Sequence, residues 1–76
     1  MGMQSALILE YRSSGFNNGQ VYIHTGRDDV LVYYGPAAKT IYEALKQFGQ
    51  ERHEGSGNWY EQQTSSGLQW RERLSM

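Results

Sequence analysis

The chain contains no cysteine, one proline and no marked excess of charge of either sign. Without cysteine it can build no disulfide framework, no thiol nucleophile and no thiolate metal site. Seven Lys and Arg against eight Asp and Glu give a net charge of -1, which removes bulk electrostatic attraction to nucleic acid or an anionic membrane. Apolar runs such as Ala6-Leu7-Ile8-Leu9 fall far short of the roughly 18 residues that span a bilayer. The amino terminus carries neither the basic n-region nor the apolar h-region of a secretory signal, so the expected setting is cytoplasmic. Ala6 stands where the myristoylation pattern wants Ser or Thr.

Aliphatic residues are also scarce, Leu, Ile, Val and Phe numbering fourteen of 76. Six Tyr and two Trp make up the difference, because an aromatic side chain buries roughly 150–250 Å². Each buried hydroxyl or indole N–H then needs a polar partner, so half-buried rings with solvent-facing tips are expected. The length allows one small domain over residues 1–76. Residues 1–4 read as an unstructured lead, with Met1-Gly2 an added start ahead of Met3. A chain this short buries only about 60% of the surface its unfolded form exposes, so the core must be thin.

Alternation places Leu7, Leu9 and Tyr11 on one face of a strand over Ser5–Arg12, with Ala6, Ile8, Glu10 and Arg12 on the other. Asn17-Asn18-Gly19 marks a turn, and Phe16 beside it is expected to tuck onto the core. Gln20–Tyr34 reads as a hairpin closed by a type II′ turn at Gly26-Arg27. That register opposes His24 to Asp29, Ile23 to Val30, Tyr22 to Leu31 and Val21 to Val32. Val21, Ile23, Val30 and Val32 then share one side, and Tyr22, His24, Leu31 and Tyr33 the other. Pro36 opens a helix over 36–49, with Ala37, Ala38, Ile41, Tyr42, Leu45 and Phe48 as its apolar stripe and Gly49 closing it. After a polar loop, Asn58–Thr64 and Leu68–Leu74 form a second hairpin. A three-residue loop Ser65-Ser66-Gly67 is preferred there, because it opposes Glu61 to Arg71 rather than to Glu72.

The fold class is therefore α+β, an antiparallel sheet with one helix packed on a face, in the order β-β-β-α-β-β. The helix is expected to cover Leu7, Leu9, Val21, Ile23, Val30 and Val32. The opposite face, with Ile8, Tyr22, His24, Leu31 and Tyr33, reads as too apolar for solvent. Either the second hairpin folds beneath it or a partner packs there.

The other constellations are weaker. Glu51-Arg52-His53-Glu54 has metal-capable side chains at a spacing that matches no zinc or calcium pattern, and reads as a solvated charge run. Gly55-Ser56-Gly57 lacks the lysine and the strand–loop–helix setting of a phosphate loop. The His24–Asp29 pair has no nucleophile elbow to serve and reads as a hairpin ion pair. No catalytic, cofactor-binding or metal residues are assigned, and enzyme activity is not expected. The stretch Val32-Tyr33-Tyr34-Gly35-Pro36 leading into Ile41-Tyr42-Glu43-Ala44-Leu45 resembles locally the strand-to-helix junction of KTSC-type small domains. The likeness covers about a third of the chain, lacks that family's later Ser-Gly and Tyr-Phe-Asn elements, and implies no function.

The expectation is a non-enzymatic binding or accessory protein, such as an inhibitor or a phage-type factor. It would act through an aromatic sheet surface on a protein partner or as a homodimer. Tyr22, Leu31, Tyr33, Trp59, Trp70 and Arg71 are the expected contact residues, since Tyr, Trp and Arg dominate interface energetics. The alternative is a single-stranded nucleic-acid-binding module that stacks bases on the aromatics beside the arginines of the C-terminal hairpin.

Overall fold

A computed structural model describes residues 4–52 and 59–74. The elements run β1 (Gln4–Ser13), β2 (Gly19–His24), β3 (Asp29–Gly35), α1 (Ala38–Arg52), β4 (Trp59–Gln63) and β5 (Gly67–Leu74). All five strands join one antiparallel sheet in the order β3-β2-β1-β5-β4, and α1 packs on one face against β1, β2 and β3. The expected α+β class and element order are those of the molecule. β1 already includes Gln4, and α1 runs to Arg52. His53, Glu54 and Gly55-Ser56-Gly57 lie outside the described residues.

Both hairpins turn on a threonine. Thr25 N donates to Asp28 O at 2.9 Å while Asp28 N donates to Thr25 Oγ1 at 3.0 Å. Thr64 N donates to Gly67 O at 2.8 Å while Gly67 N donates to Thr64 Oγ1 at 3.0 Å. In each case the side-chain hydroxyl replaces a main-chain acceptor and closes a two-residue loop. Gly26 does not have the positive φ of a type II′ turn, because Thr25 provides the closure instead. Ser65-Ser66, not a three-residue loop, joins β4 to β5, so Tyr60 faces Arg71 and Glu61 faces Trp70. The charge-pairing rule selected the wrong register because Glu61 finds its partners on the helix: Tyr42 Oη donates to it at 2.8 Å and Lys46 Nζ at 2.6 Å.

Two bulges reset the alternation. Between Val21 and Tyr22 the β2–β3 ladder skips Val32, so Val21 faces Tyr33 while Tyr22 faces Leu31. In the β1–β5 ladder the skip falls at Ile8, so Leu7 faces Arg71 and Leu9 faces Trp70. An extra residue on one strand inverts every side chain beyond it. Tyr33 consequently joins the helix side, where Ala37 N donates to its hydroxyl at 3.3 Å, and Ile8 also packs against the core. Gly35 makes the Tyr33 position possible: its φ is +152°, and an added Cβ would lie 2.9 Å from the Tyr33 hydroxyl.

The core is small: Leu9, Val21, Ala38, Tyr42 and Trp70, bordered by Ile8, Tyr11, Tyr33, Ile41, Leu45, Trp59 and Leu68. Ala38 and Tyr42 are the fully buried helix positions. Gly49 lies inside α1 rather than at its end, where a Cβ would come within 2.6 Å of the Trp70 ring. It lets helix and sheet approach around the indole. Phe48 is turned outward beneath the Arg52 guanidinium, 4.7 Å from the ring centroid. Ile23, Val30 and Val32, expected under the helix, are exposed, because α1 crosses the Leu9–Val21–Trp70 region instead. Phe16 is fully exposed at the tip of the β1–β2 loop and takes no part in the core.

Candidate functional site

The sheet face away from α1 is polar where it was expected to be greasy. Its centre is Glu10 on β1, only 4% exposed. Glu10 Oε1 accepts from Arg12 Nη2 at 2.9 Å and pairs with His24 Nε2 at 2.9 Å, and Oε2 accepts from Gln69 Nε2 at 3.0 Å. His24 Nδ1 pairs with Asp29 Oδ1 at 2.7 Å, which realises the expected hairpin pair and extends it to β1. Arg71 Nη2 donates to Gln69 Oε1 at 2.8 Å. The Arg12 guanidinium lies 4.3 Å from the centroid of Tyr22, whose hydroxyl donates to Gln20 Oε1 at 2.9 Å. At the far side Arg73 lies 4.6 Å from the centroid of Tyr60. One chain of polar contacts thus runs from β3 through β2 and β1 to β5.

The electrostatics follow from this arrangement. Burial by itself would raise the Glu10 carboxyl, but the hydrogen bonds from Arg12, Gln69 and His24 outweigh it and hold the group below its ordinary value of 4.5. Glu61 behaves alike, burial being outweighed by Lys46 and Tyr42. Burial, reinforced by Glu61, pushes the Tyr42 hydroxyl upward, so it stays a donor. His24 is flanked rather than chelating. Its two ring nitrogens point in different directions, each to its own carboxylate, and the two acids cannot converge on one ion with it. Among the described residues no group of His, Asp and Glu is placed to hold a metal.

The six expected contact residues do not form one surface. Tyr22, Leu31 and Arg71 share the open face, by their ladder positions and contacts. Tyr33, Trp59 and Trp70 lie on the helix side, the two indoles stacked with centroids 4.5 Å apart and Trp70 only 3% exposed. Glu10 was missed as the hub, although its place two residues before Arg12 on the same strand face was a usable signal.

What remains available for contact is the outer edge of the sheet. Val30, Leu31, Val32 and Tyr34 of β3 are between 43% and 60% exposed. Among the described residues no strand lies beyond β3. Chains manage such edges with lysine, inward charge or short length. β3 has no lysine, and its one acid, Asp29, is occupied by His24. The opposite edge, Trp59-Tyr60-Glu61-Gln62-Gln63, is shorter and more polar.

Among the described residues the protein is a small α+β domain with one helix, an open sheet face tied up internally and no strand beyond β3. Comparison with family models, curated proteins and solved structures found no match. No helix among the described residues is long and apolar enough to cross a membrane.

Proposed function

We propose that this chain is a small non-catalytic binding domain, an accessory or inhibitory factor of the cytoplasm, that engages a polypeptide by adding a strand to the outer edge of β3. The observation that carries this reading is the run Val30-Leu31-Val32 with Tyr34, half-exposed on an edge strand. Strand addition takes affinity from main-chain hydrogen bonds and specificity from the alternating side chains, so it needs no pocket. Tyr34 supplies the large amphipathic ring that interfaces favour. The polar network of the open face ties β3, β2, β1 and β5 together behind the edge through the Asp29–His24–Glu10–Gln69 contacts.

The stacking alternative draws little from this geometry. The two tryptophans stack on each other on the helix side, and Arg12, Arg71 and Arg73 already engage Glu10, Gln69 and Tyr60.

A photo-crosslinking side chain at position 31 or 34 tests the edge reading in cells that express the chain. The expected result is a defined polypeptide adduct from both positions and none from position 48 on the exposed helix surface. Equal labelling from all three, or none from 31 and 34, refutes it.

A further inference from the structure

We infer that His24 is a proton-operated clasp on the end of the β2–β3 hairpin. While both ring nitrogens carry a proton it ties β1 to β3, and when one proton leaves it keeps Glu10 and releases Asp29. The clasp stands apart from the edge reading above and needs no partner.

Donors and acceptors decide the two states. A neutral imidazole offers one N–H and one bare nitrogen, whereas an ionised carboxylate only accepts. His24 has a carboxylate oxygen at each nitrogen, Asp29 Oδ1 at 2.7 Å from Nδ1 and Glu10 Oε1 at 2.9 Å from Nε2. Both contacts are hydrogen bonds only when the ring is doubly protonated. With one proton gone, one of the two carboxylates faces a lone pair at that distance, and the contact turns repulsive.

Burial decides which contact fails. The Glu10 side chain is 5% exposed and that of Asp29 is 62% exposed. A buried acceptor stripped of its donor bears the full cost of desolvation, whereas an exposed one turns to water. The remaining proton therefore stays on Nε2, and the Asp29 carboxylate swings into solvent. The groups facing the ring support this order. β1 presents Glu10 and Arg12, whose guanidinium shares Glu10 Oε1. β5 presents Gln69, which is neutral and has Arg71 on its carbonyl, and β2 itself presents the Tyr22 ring with centroids 6.3 Å apart. α1 lies on the other face of the sheet. Against the upward push of burial, the bonds from Arg12, Gln69 and His24 hold Glu10 below its ordinary value of 4.5, so it stays an acceptor wherever an imidazole titrates.

The released group stands at a weak place. Asp29 opens β3 opposite His24, the last residue of β2. Beyond them lies only the exposed Thr25–Asp28 loop, closed by Thr25 N to Asp28 O at 2.9 Å and Asp28 N to Thr25 Oγ1 at 3.0 Å. Without the Asp29 contact the threonine bonds hold that end unaided, so the loop opens more often while the buried part of the sheet stays closed.

Long-range proton–nitrogen spectra of the full chain from about pH 5 to 9 read both ring nitrogens of His24. Amide exchange at Thr25 and Asp28, taken relative to an unstructured peptide at the same pH, reads the loop. The expected result is two protonated nitrogens on the acid side, then a proton on Nε2 and a bare Nδ1 on the alkaline side. Protection of Thr25 and Asp28 should fall about two- to fivefold at the midpoint of that same titration. Asp29→Asn should uncouple the two, because a carboxamide accepts from Nδ1–H in one state and donates to the bare Nδ1 in the other. In that variant His24 should still titrate while loop protection stays level, and the exposure of Asp29 leaves the core untouched. A His24 titration that leaves Thr25 and Asp28 unchanged in the native chain overturns the inference. So does a remaining proton on Nδ1, a ring that keeps one protonation state across the range, or a step that persists in Asp29→Asn.

Discussion

A carboxylate that is 4% exposed and holds contacts with Arg12, His24 and Gln69 organises the open face from a single position. Removing it leaves those three side chains facing each other without their acceptor. Glu10→Ala is therefore expected to cost about 2–3 kcal/mol, read as a lower urea midpoint at unchanged slope. A loss below about 0.5 kcal/mol, the usual range of surface substitutions, would mean that the network is decorative. The acid dependence has a definite sign. Glu10 and Glu61 both titrate lower in the fold than their ordinary 4.5. Their contribution is full above that value and disappears as pH falls through the lower folded values. Stability should stay flat from neutral pH to about 5 and drop beneath roughly 4.5. Glu10→Gln and Glu61→Gln should each flatten that drop, and identical acid profiles in wild type and both variants would count against the assignment.

Helix α1 and strand β3 each depart from their simplest sequence reading for a steric reason. In α1, propensity alone argues that Gly49→Ala should stabilise by about 1 kcal/mol. The added Cβ would sit 2.6 and 2.8 Å from ring atoms of Trp70, which is itself stacked on Trp59 and unable to withdraw. Overpacking of that kind costs about 1–3 kcal/mol, so the substitution should destabilise on balance. A thermal midpoint at or above the native one would show that the indole pair has room to move. In β3, the regular two-residue alternation is interrupted at Val32. Burying the Tyr33 ring with its hydroxyl bonded at the helix start gains more apolar area than burying Val32 would, and the smaller valine is left at the edge. The bulge thereby produces both a tighter core and an apolar rim.

For the whole molecule the decisive matter is how the charges are spent. The net charge is -1, and the cations of the open face are already paired with Glu10, with Gln69 or with a tyrosine ring. Affinity for phosphates rises with the number of cations free to displace counterions. Titration with single-stranded oligonucleotides at low salt is accordingly expected to leave the tryptophan emission unchanged. Saturable quenching with a steep salt slope would revive the stacking alternative and displace the edge reading. The thin core makes the same point in another way. Among the described residues only five apolar side chains are buried, so the half-exposed valines and leucine of β3 are a reserve of apolar surface that pairing with another strand would put to use.

Class, element order, a helix just after Pro36 (beginning at Ala38 rather than at the proline, and running to Arg52), the His24–Asp29 pair and the hairpin loop at Gly26-Arg27 were all legible in the amino-acid order. Each depends on neighbours within a few residues: hydrophobic periodicity, turn-forming residues, one proline. Which side of the sheet a residue faces was legible only as far as the first bulge. Ile8 and Tyr33 cross to the core because two ladders each skip one residue, and that skip is decided by ring packing between segments distant in the chain. The same holds for Glu10, whose partners Gln69 and His24 come from other strands, and for Phe48, which yields its place under the helix to Gly49 against Trp70. Periodicity is a local property of the backbone, whereas burial is settled by how volumes fit across the sheet, and only the assembled fold brings those volumes together.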